Sequence, residues 1–425
     1  MSSTTTNKSF FGWRVMWAAF VVAVFGWGVG FYGPPIFLHT LVETRGWSVT
    51  LVSAAVTTHF LFGALVIANM PAIYTRFGLP LTTKVSALSL AFGIIGWANA
   101  AEPWQLFAAT ILSAFGWAGT SAMAINTILS PWFVRRRPAA LSMAYNGASV
   151  GGVLFSPVWV FLIALSGFST ATILVGCALV LMLWTLSNRY FSKTPDALGM
   201  HPDGDTPAET RQREAQNKVP ERPGRALWTS RAFVTCTAGF AMGLFAQIGI
   251  IAHLFSLLVP AMGAQGAGLA AGFAAACAVA GRILLGWLLP DTADRRLAAA
   301  LTYLVQILGC IAFILADGLS LPLLLLGILL LGLGIGNVTS LPPLIAQVEF
   351  AASDVPRAIA LSTAIGHAAF AFAPALFGVV REWEMTANTG NSTGAPIFFA
   401  TAAAAQIIAA IAYLTGRTAT YRQGR

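Results

Sequence analysis

Residues 201–225 read HPDGDTPAETRQREAQNKVPERPGR, with five acidic and five basic side chains and Val219 as the only branched aliphatic. Such a stretch has little apolar surface to bury and too many charges to cross a bilayer. Its surroundings are the opposite. Apolar runs of about twenty residues recur on both sides, each long enough to cross a ~30 Å hydrocarbon core as a helix. Backbone polar groups cannot stay unpaired in lipid, so these runs are expected to be helices, and no alternating pattern points to a β-barrel. The chain is 57% hydrophobic and 9% charged, with mean hydropathy +0.75, whereas a soluble domain carries roughly 25% charged residues.

Working outward from the polar stretch places six spans before it, at 13–38, 48–74, 80–100, 104–130, 139–166 and 168–190. Six follow, at 231–259, 266–289, 297–316, 319–347, 357–380 and 395–416. The expected fold is all-α and integral to the membrane: twelve transmembrane helices in two six-helix repeats, residues 1–190 and 230–425, joined by a cytoplasmic linker at 191–229. With both termini on the cytoplasmic side, inner segments hold 21 of the 24 Lys and Arg residues. Outer segments hold only Arg45 and Arg381, and Arg282 lies within a span. This positive-inside bias places the termini in the cytoplasm and the chain in the cell (inner) membrane. It also accounts for the net charge of +9 without invoking nucleic acid. The first apolar run is too long for a signal-peptide core, so it is expected to stay as a span. Cys177, Cys236, Cys277 and Cys310 sit in apolar runs, with spacings of neither a disulfide framework nor a metal site.

The halves look related at one offset. Arg137-Pro-Ala-Ala-Leu-Ser-Met-Ala144 aligns with Arg357-Ala-Ile-Ala-Leu-Ser-Thr-Ala364, 220 positions later (357 − 137), and Arg76 aligns with Arg296 at the same offset (296 − 76). Parallel six-helix repeats with a binding site between them are a known transporter architecture.

Several stretches resemble the major facilitator superfamily. Pro71-Ala-Ile-Tyr-Thr75-Arg76-Phe-Gly78 is a degraded form of its glycine-x-x-x-aspartate-arginine-x-glycine loop, with Arg76 and Gly78 matching and Thr75 in place of the aspartate. Gly286-Trp-Leu-Leu-Pro-Asp291 and Asp294-Arg295-Arg296 form a looser second copy. The resemblance implies a cytoplasmic gate built from Arg76, Gly78, Asp291, Arg295 and Arg296, with a conventional latch in question where the aspartate is lost. Within the superfamily, the chain resembles the bacterial monocarboxylate and oxalate–formate antiporter branch. The marks are Phe11-Gly12-Trp13-Arg14, Arg45-Gly46-Trp47-Ser48, Trp132-Phe-Val-Arg-Arg-Arg137 and Gly281-Arg282. In those relatives the last pair supplies an arginine that binds substrate carboxylate. Two features depart from the branch: Ala278 stands where some members carry an aspartate, and His367 is the only basic group where oxalate–formate relatives carry a lysine.

All fifteen acidic residues fall in expected loops or span ends, so the ionisable groups within spans are Arg282, His59, His253 and His367, with His39 near an outer end. A mid-membrane arginine costs about 2.5–3.5 kcal/mol on insertion scales and calls for a wet cavity and an anion. The guanidinium fork suits a carboxylate. The bland alternative is that Arg282 snorkels to the surface about 10 Å away. His367 and His253 are the coupling candidates because histidine titrates near neutrality, though a lone helical histidine is commonly a packing residue. Tyr32, Asn126, Tyr145, Asn146, Gln247 and Asn337 complete the candidate substrate-binding set, each equally able to tie helix to helix. There is no phosphate-binding loop, no metal-ligand cluster and no assembled catalytic set, so no cofactor, metal or enzyme activity is expected.

The expectation is therefore a monomeric secondary transporter moving a small organic anion by alternating access, with proton coupling open. Two alternatives stand beside it: export of hydrophobic, drug-like compounds on the same fold, and a non-transporting membrane sensor.

Overall fold

The computed structural model describes residues 10–204, 226–289, 293–350, 354–387 and 394–417. Eleven of its helices are long and apolar enough to cross a membrane. Spans one to six are Gly12–Arg45, Val49–Phe77, Leu79–Asn99, Pro103–Leu129, Arg137–Ser166 and Phe168–Phe191. Next come two helices joined end to end over Arg231–Leu288, 58 residues in all. At 1.5 Å per residue the run is about 87 Å long, enough for two crossings. Gly263, at φ 68° and ψ 167°, breaks it into span seven (231–262) and span eight (264–288). Spans nine to twelve are Arg295–Ala316, Leu321–Glu349, Val355–Ala387 and Pro396–Thr415. The result is twelve crossings in two six-helix halves.

Three local features differ from the expected spans. No separate loop divides spans seven and eight, because one glycine in the left-handed region makes the break. Span four is interrupted at Gly119–Ser121, between Pro103–Ala118 and Ala122–Leu129. Span eleven runs to Ala387, so Arg381 lies inside a helix rather than in an outer loop. Span one is also broken: its second helix, Gly33–Arg45, starts with Pro34 and Pro35 in its first turn. Proline suits that position, where its missing N–H has no helical partner to lose.

Links between spans are short where glycine allows it. Gly78 (φ 75°) and Gly167 (φ 81°) each form a one-residue connection, between spans two and three and between spans five and six. This is a physical reason for Gly78 in the degraded loop: a side chain would be strained there.

Polar side chains fasten each half internally. His59 is buried and bonds Ser113 Oγ through Nδ1 at 2.8 Å and Gly30 O through Nε2 at 3.0 Å, tying spans one, two and four together. Near the termini, the buried Asp203 carboxylate accepts from Val134 N at 3.2 Å, Arg135 N at 2.7 Å and Arg136 N at 3.1 Å. It thus caps the turn that opens span five, although it belongs to the linker. Losing such a cap costs roughly 1–2 kcal/mol. Asp203→Ala is therefore expected to lower the unfolding midpoint, and Asp203→Asn to lower it less; thermal unfolding in detergent checks the order.

Candidate functional site

The halves meet chiefly along two helix pairs, with the second helix of span one also packing on span seven through His39 and Phe255, whose rings lie 5.2 Å apart. From span two, Thr50, Ser53, Thr57 and Phe60 follow a three-to-four-residue spacing that lines one helix face. Span eleven answers with Glu382, Gly378, Ala375 and Phe370. Thr50 N donates to Glu382 Oε2 at 2.7 Å, Ala375 N donates to Thr57 Oγ1 at 3.0 Å, and the Phe60 and Phe370 rings lie 5.4 Å apart. Gly378 sits against Ser53, leaving no room for a β-carbon. Between spans five and eight, a β-carbon on Gly268 would lie 2.9 Å from Val160, one on Gly272 3.0 Å from Val153 O, and one on Gly152 2.8 Å from Ala275. Glycine on both helices is what lets these backbones approach.

All of these contacts lie between the membrane centre and the end opposite the termini, so that end is sealed. Extending the same faces toward the termini leads to Asn146, seven residues before Val153; Arg282, seven after Ala275; and His367, three before Phe370. Asn146 and His367 are exposed and Arg282 is half-buried. A cleft between the halves therefore begins where the seal stops. The Glu382 carboxylate caps the first turn of span two from across the seal, an interaction of about 1 kcal/mol. Glu382→Ala is expected to raise the population open at the opposite end about fivefold. Spin-label distances between positions flanking that end would report the change.

Arg282 is the charge at the head of the cleft. Its Nε donates to Gly336 O at a long 3.4 Å, and Tyr32 is close enough to interact with it electrostatically. No carboxylate among the described residues pairs with it. Tyr32 belongs to the break in span one and packs at Gly152 and Ala275, at the floor of the seal. It also lines a pocket of about 30 Å³ with Pro35, Ile36, Ile251, Leu254 and Phe255, room for one or two waters.

The other expected site residues divide into two groups. His367 Nδ1–H donates to Thr363 O at 2.7 Å, which leaves Nε2 free on an exposed ring. Asn126 Nδ2 donates to Tyr145 Oη at 2.5 Å, and the Tyr145 hydroxyl also reaches Ala122 O at 3.2 Å, which joins spans four and five on the first half's side. Gln247, His253 and Asn337 are instead buried in seams of the second half. His253 Nε2 bonds Pro374 O at 3.1 Å. Asn337 Nδ2 donates to Gly281 O at 3.3 Å and Leu333 O at 3.2 Å, holding span ten against span eight directly behind Arg282.

The gate motif is lopsided. Arg296 is fully buried and makes a forked pair with Glu349, Nε to Oε1 at 2.6 Å and Nη2 to Oε2 at 2.7 Å. It also donates to Ala232 O at 2.7 Å and Thr235 Oγ1 at 3.0 Å, so one side chain joins spans seven, nine and ten. Arg295 donates to Leu344 O at 2.6 Å. Arg76 is exposed, has no carboxylate partner among the described residues, and lies over the neighbouring Phe77 ring at 5.3 Å. Asp291 lies outside the described residues. Glu349 was not among the expected gate residues. Nothing in its spacing to Arg296 marks the pair, and the repeat offset puts Leu129 in its place in the first half (349 − 220).

Residues 16–374 match the family model of the Major Facilitator Superfamily. The chain belongs to this superfamily. Other superfamily members lie close in sequence or fold. This facilitator chain is 28% identical to human monocarboxylate transporter 11 over 291 residues, 65% of its own length and 56% of that protein's. The match thus spans little more than half of the relative. A bacterial homologue of the human lysosomal transporter Spinster, in an inward-facing and unoccupied conformation, aligns with TM-score 0.70 at 15% identity, over 97% of this chain and 99% of that one. A D-xylose–proton symporter aligns with TM-score 0.71 at 14% identity, over 96% and 100%. At these identities the structural likeness is one of fold. The family match, together with the apolar helices of spanning length, makes the chain a multi-pass membrane protein of a transporter family.

Proposed function

We propose that this facilitator protein carries a small organic anion, first among them a monocarboxylate, by alternating access, with Arg282 as the carboxylate-binding cation. The observation that carries this reading is the state of Arg282: a guanidinium at the head of the cleft, on the face turned to the other half, with one long hydrogen bond and no carboxylate partner among the described residues. A desolvated, unpaired charge of this kind is costly unless a ligand completes it. The similarity to a monocarboxylate transporter supports the same reading. With the termini cytoplasmic in the inner membrane, as the charge bias favours, this conformation is the inward-facing one. His367, with Nε2 open to the cleft, is the better placed proton-coupling candidate, because His253 is closed into a helix seam.

Uptake of radiolabelled lactate, pyruvate and oxalate into proteoliposomes tests the proposal, with the lipophilic cation tetraphenylphosphonium as the rival substrate. Saturable carboxylate uptake, competed by the other acids, is expected. Transport of the lipophilic cation alone would instead favour the hydrophobic-compound exporter, a role compatible with the apolar lining of the pocket at Pro35, Ile36 and Leu254.

A further inference from the structure

Arg282 has a counterpart at the other end of the interface. Arg381 lies three residues beyond Gly378 on span eleven, so its Cα sits on the helix face that makes the seal. Its guanidinium donates to Ser256 Oγ on span seven. His253, one turn earlier on span seven, and His39, on the second helix of span one, are both within electrostatic reach of it. The side chain thus stands between the two halves of the molecule.

Arg381 has five N–H donors, and the Ser256 hydroxyl is the one acceptor they meet among the described residues. The acids around it are committed elsewhere. Glu382 accepts from Thr50 N at 2.7 Å. Glu384 accepts from Ile397 N at 2.7 Å and Phe398 N at 3.0 Å, capping span twelve. Glu43 is exposed and lies 3.8 Å from His39. Arg381 is half-buried, and a guanidinium taken partly out of water without a counter-charge among the described residues is costly here as at Arg282.

The two arginines bracket one line of residues. Tyr32, within electrostatic reach of Arg282, and His39, within electrostatic reach of Arg381, are seven residues apart on span one, about 10 Å. Between them Pro35 and Ile36 line the small pocket, which Phe255 bounds at the His39 end, their rings 5.2 Å apart. We propose that Arg381, with Ser256 and His39 beside it, is a second carboxylate-contact site, which meets the substrate anion when the molecule opens at the end opposite the termini. The inference rests on the reading of the protein as an organic-anion carrier. It adds a contact on the far side of the seal, so that the anion passes from one guanidinium to the other as the halves rock.

The first test needs no substrate. Of the four cysteines only Cys177 is exposed, so Ser256→Cys is introduced with Cys177→Ser and the reconstituted protein is treated with methanethiosulfonates from each face. The anionic ethylsulfonate reagent is expected to react at least tenfold faster than the cationic trimethylammonium reagent, from the face opposite the termini. Adding Arg381→Gln should erase that preference. Equal rates with Arg381 intact, or no reaction from that face, overturn the proposal. The second test is lactate and pyruvate flux in oriented proteoliposomes. Arg381→Gln should raise KM at least tenfold for substrate supplied at the face opposite the termini and less than twofold at the other face, with Arg381→Lys restoring most of the loss. An equal KM rise at both faces, or a fall in Vmax alone, would make Arg381 a strut of the seal and overturn the site. If the wild type moves neither acid, the organic-anion reading fails for these substrates, and the reagent preference still decides whether Arg381 attracts anions.

Discussion

Arg282→Ala is expected to abolish saturable carboxylate uptake, with the affinity for the transported acid falling between about thirtyfold and several thousandfold. The range follows from removing one partner of a desolvated, hydrogen-bonded charge pair, which costs about 2–5 kcal/mol, at 1.4 kcal/mol per factor of ten. Arg282→Lys should fall between the two, because an ammonium keeps the charge and loses the planar fork. Stability should move the other way. Arg282 has only its 3.4 Å bond to Gly336 O to lose, and alanine removes an uncompensated charge. Stabilisation by ligand reports the same site independently: a ligand at 100 times its dissociation constant adds about 2.7 kcal/mol, a gain the wild type should show and Arg282→Ala should not. Normal transport by Arg282→Ala would return the residue to the snorkelling role that its sequence position also allows.

The second large effect is on folding rather than on transport. Arg296→Met leaves Glu349 charged and without its partner at the junction of spans seven, nine and ten, and should destabilise the second half by about 3–5 kcal/mol. The double variant Arg296→Met with Glu349→Leu should recover much of that loss, because a well-packed apolar pair can replace a buried ion pair at little net cost. Arg76→Ala, at the matching position of the first half, should be nearly silent, since that side chain is exposed and has no carboxylate partner among the described residues. Thermal unfolding of the four proteins checks the order. A double variant no better than Arg296→Met would mean that the bonds from Arg296 to Ala232 O and Thr235 Oγ1, and not the ion pair, hold the junction.

The contrast between Arg76 and Arg296 shows what sequence repetition can and cannot convey. Both arginines follow from the repeat and the loop motif. Their fates diverge because the partner carboxylate, Glu349, sits 53 residues from Arg296 on another span, and its equivalent position in the first half is Leu129. The polar inventory divides in the same way. Arg282 stood out because hydrocarbon makes any mid-span charge conspicuous, whereas Gln247, Asn337 and Asn146 look alike in composition. Only packing separates the first two, buried in seams, from the third, exposed to the cleft. Arg381 was hidden by a boundary: a span drawn to residue 380 leaves it in a loop, and the helix that continues to Ala387 carries it half-buried on the face of the seal.

The sequence by itself determined the helical membrane fold and the count of twelve crossings. Lipid offers no hydrogen bonds, so apolar length and charge placement suffice to decide those features. Only the tertiary structure decided which end is sealed, which polar residues face the cleft and which arginines lack a carboxylate among the described residues. Those properties depend on pairs such as Thr50 with Glu382 and Arg296 with Glu349, which are brought together by helix packing across hundreds or tens of residues and leave no periodic trace along the chain.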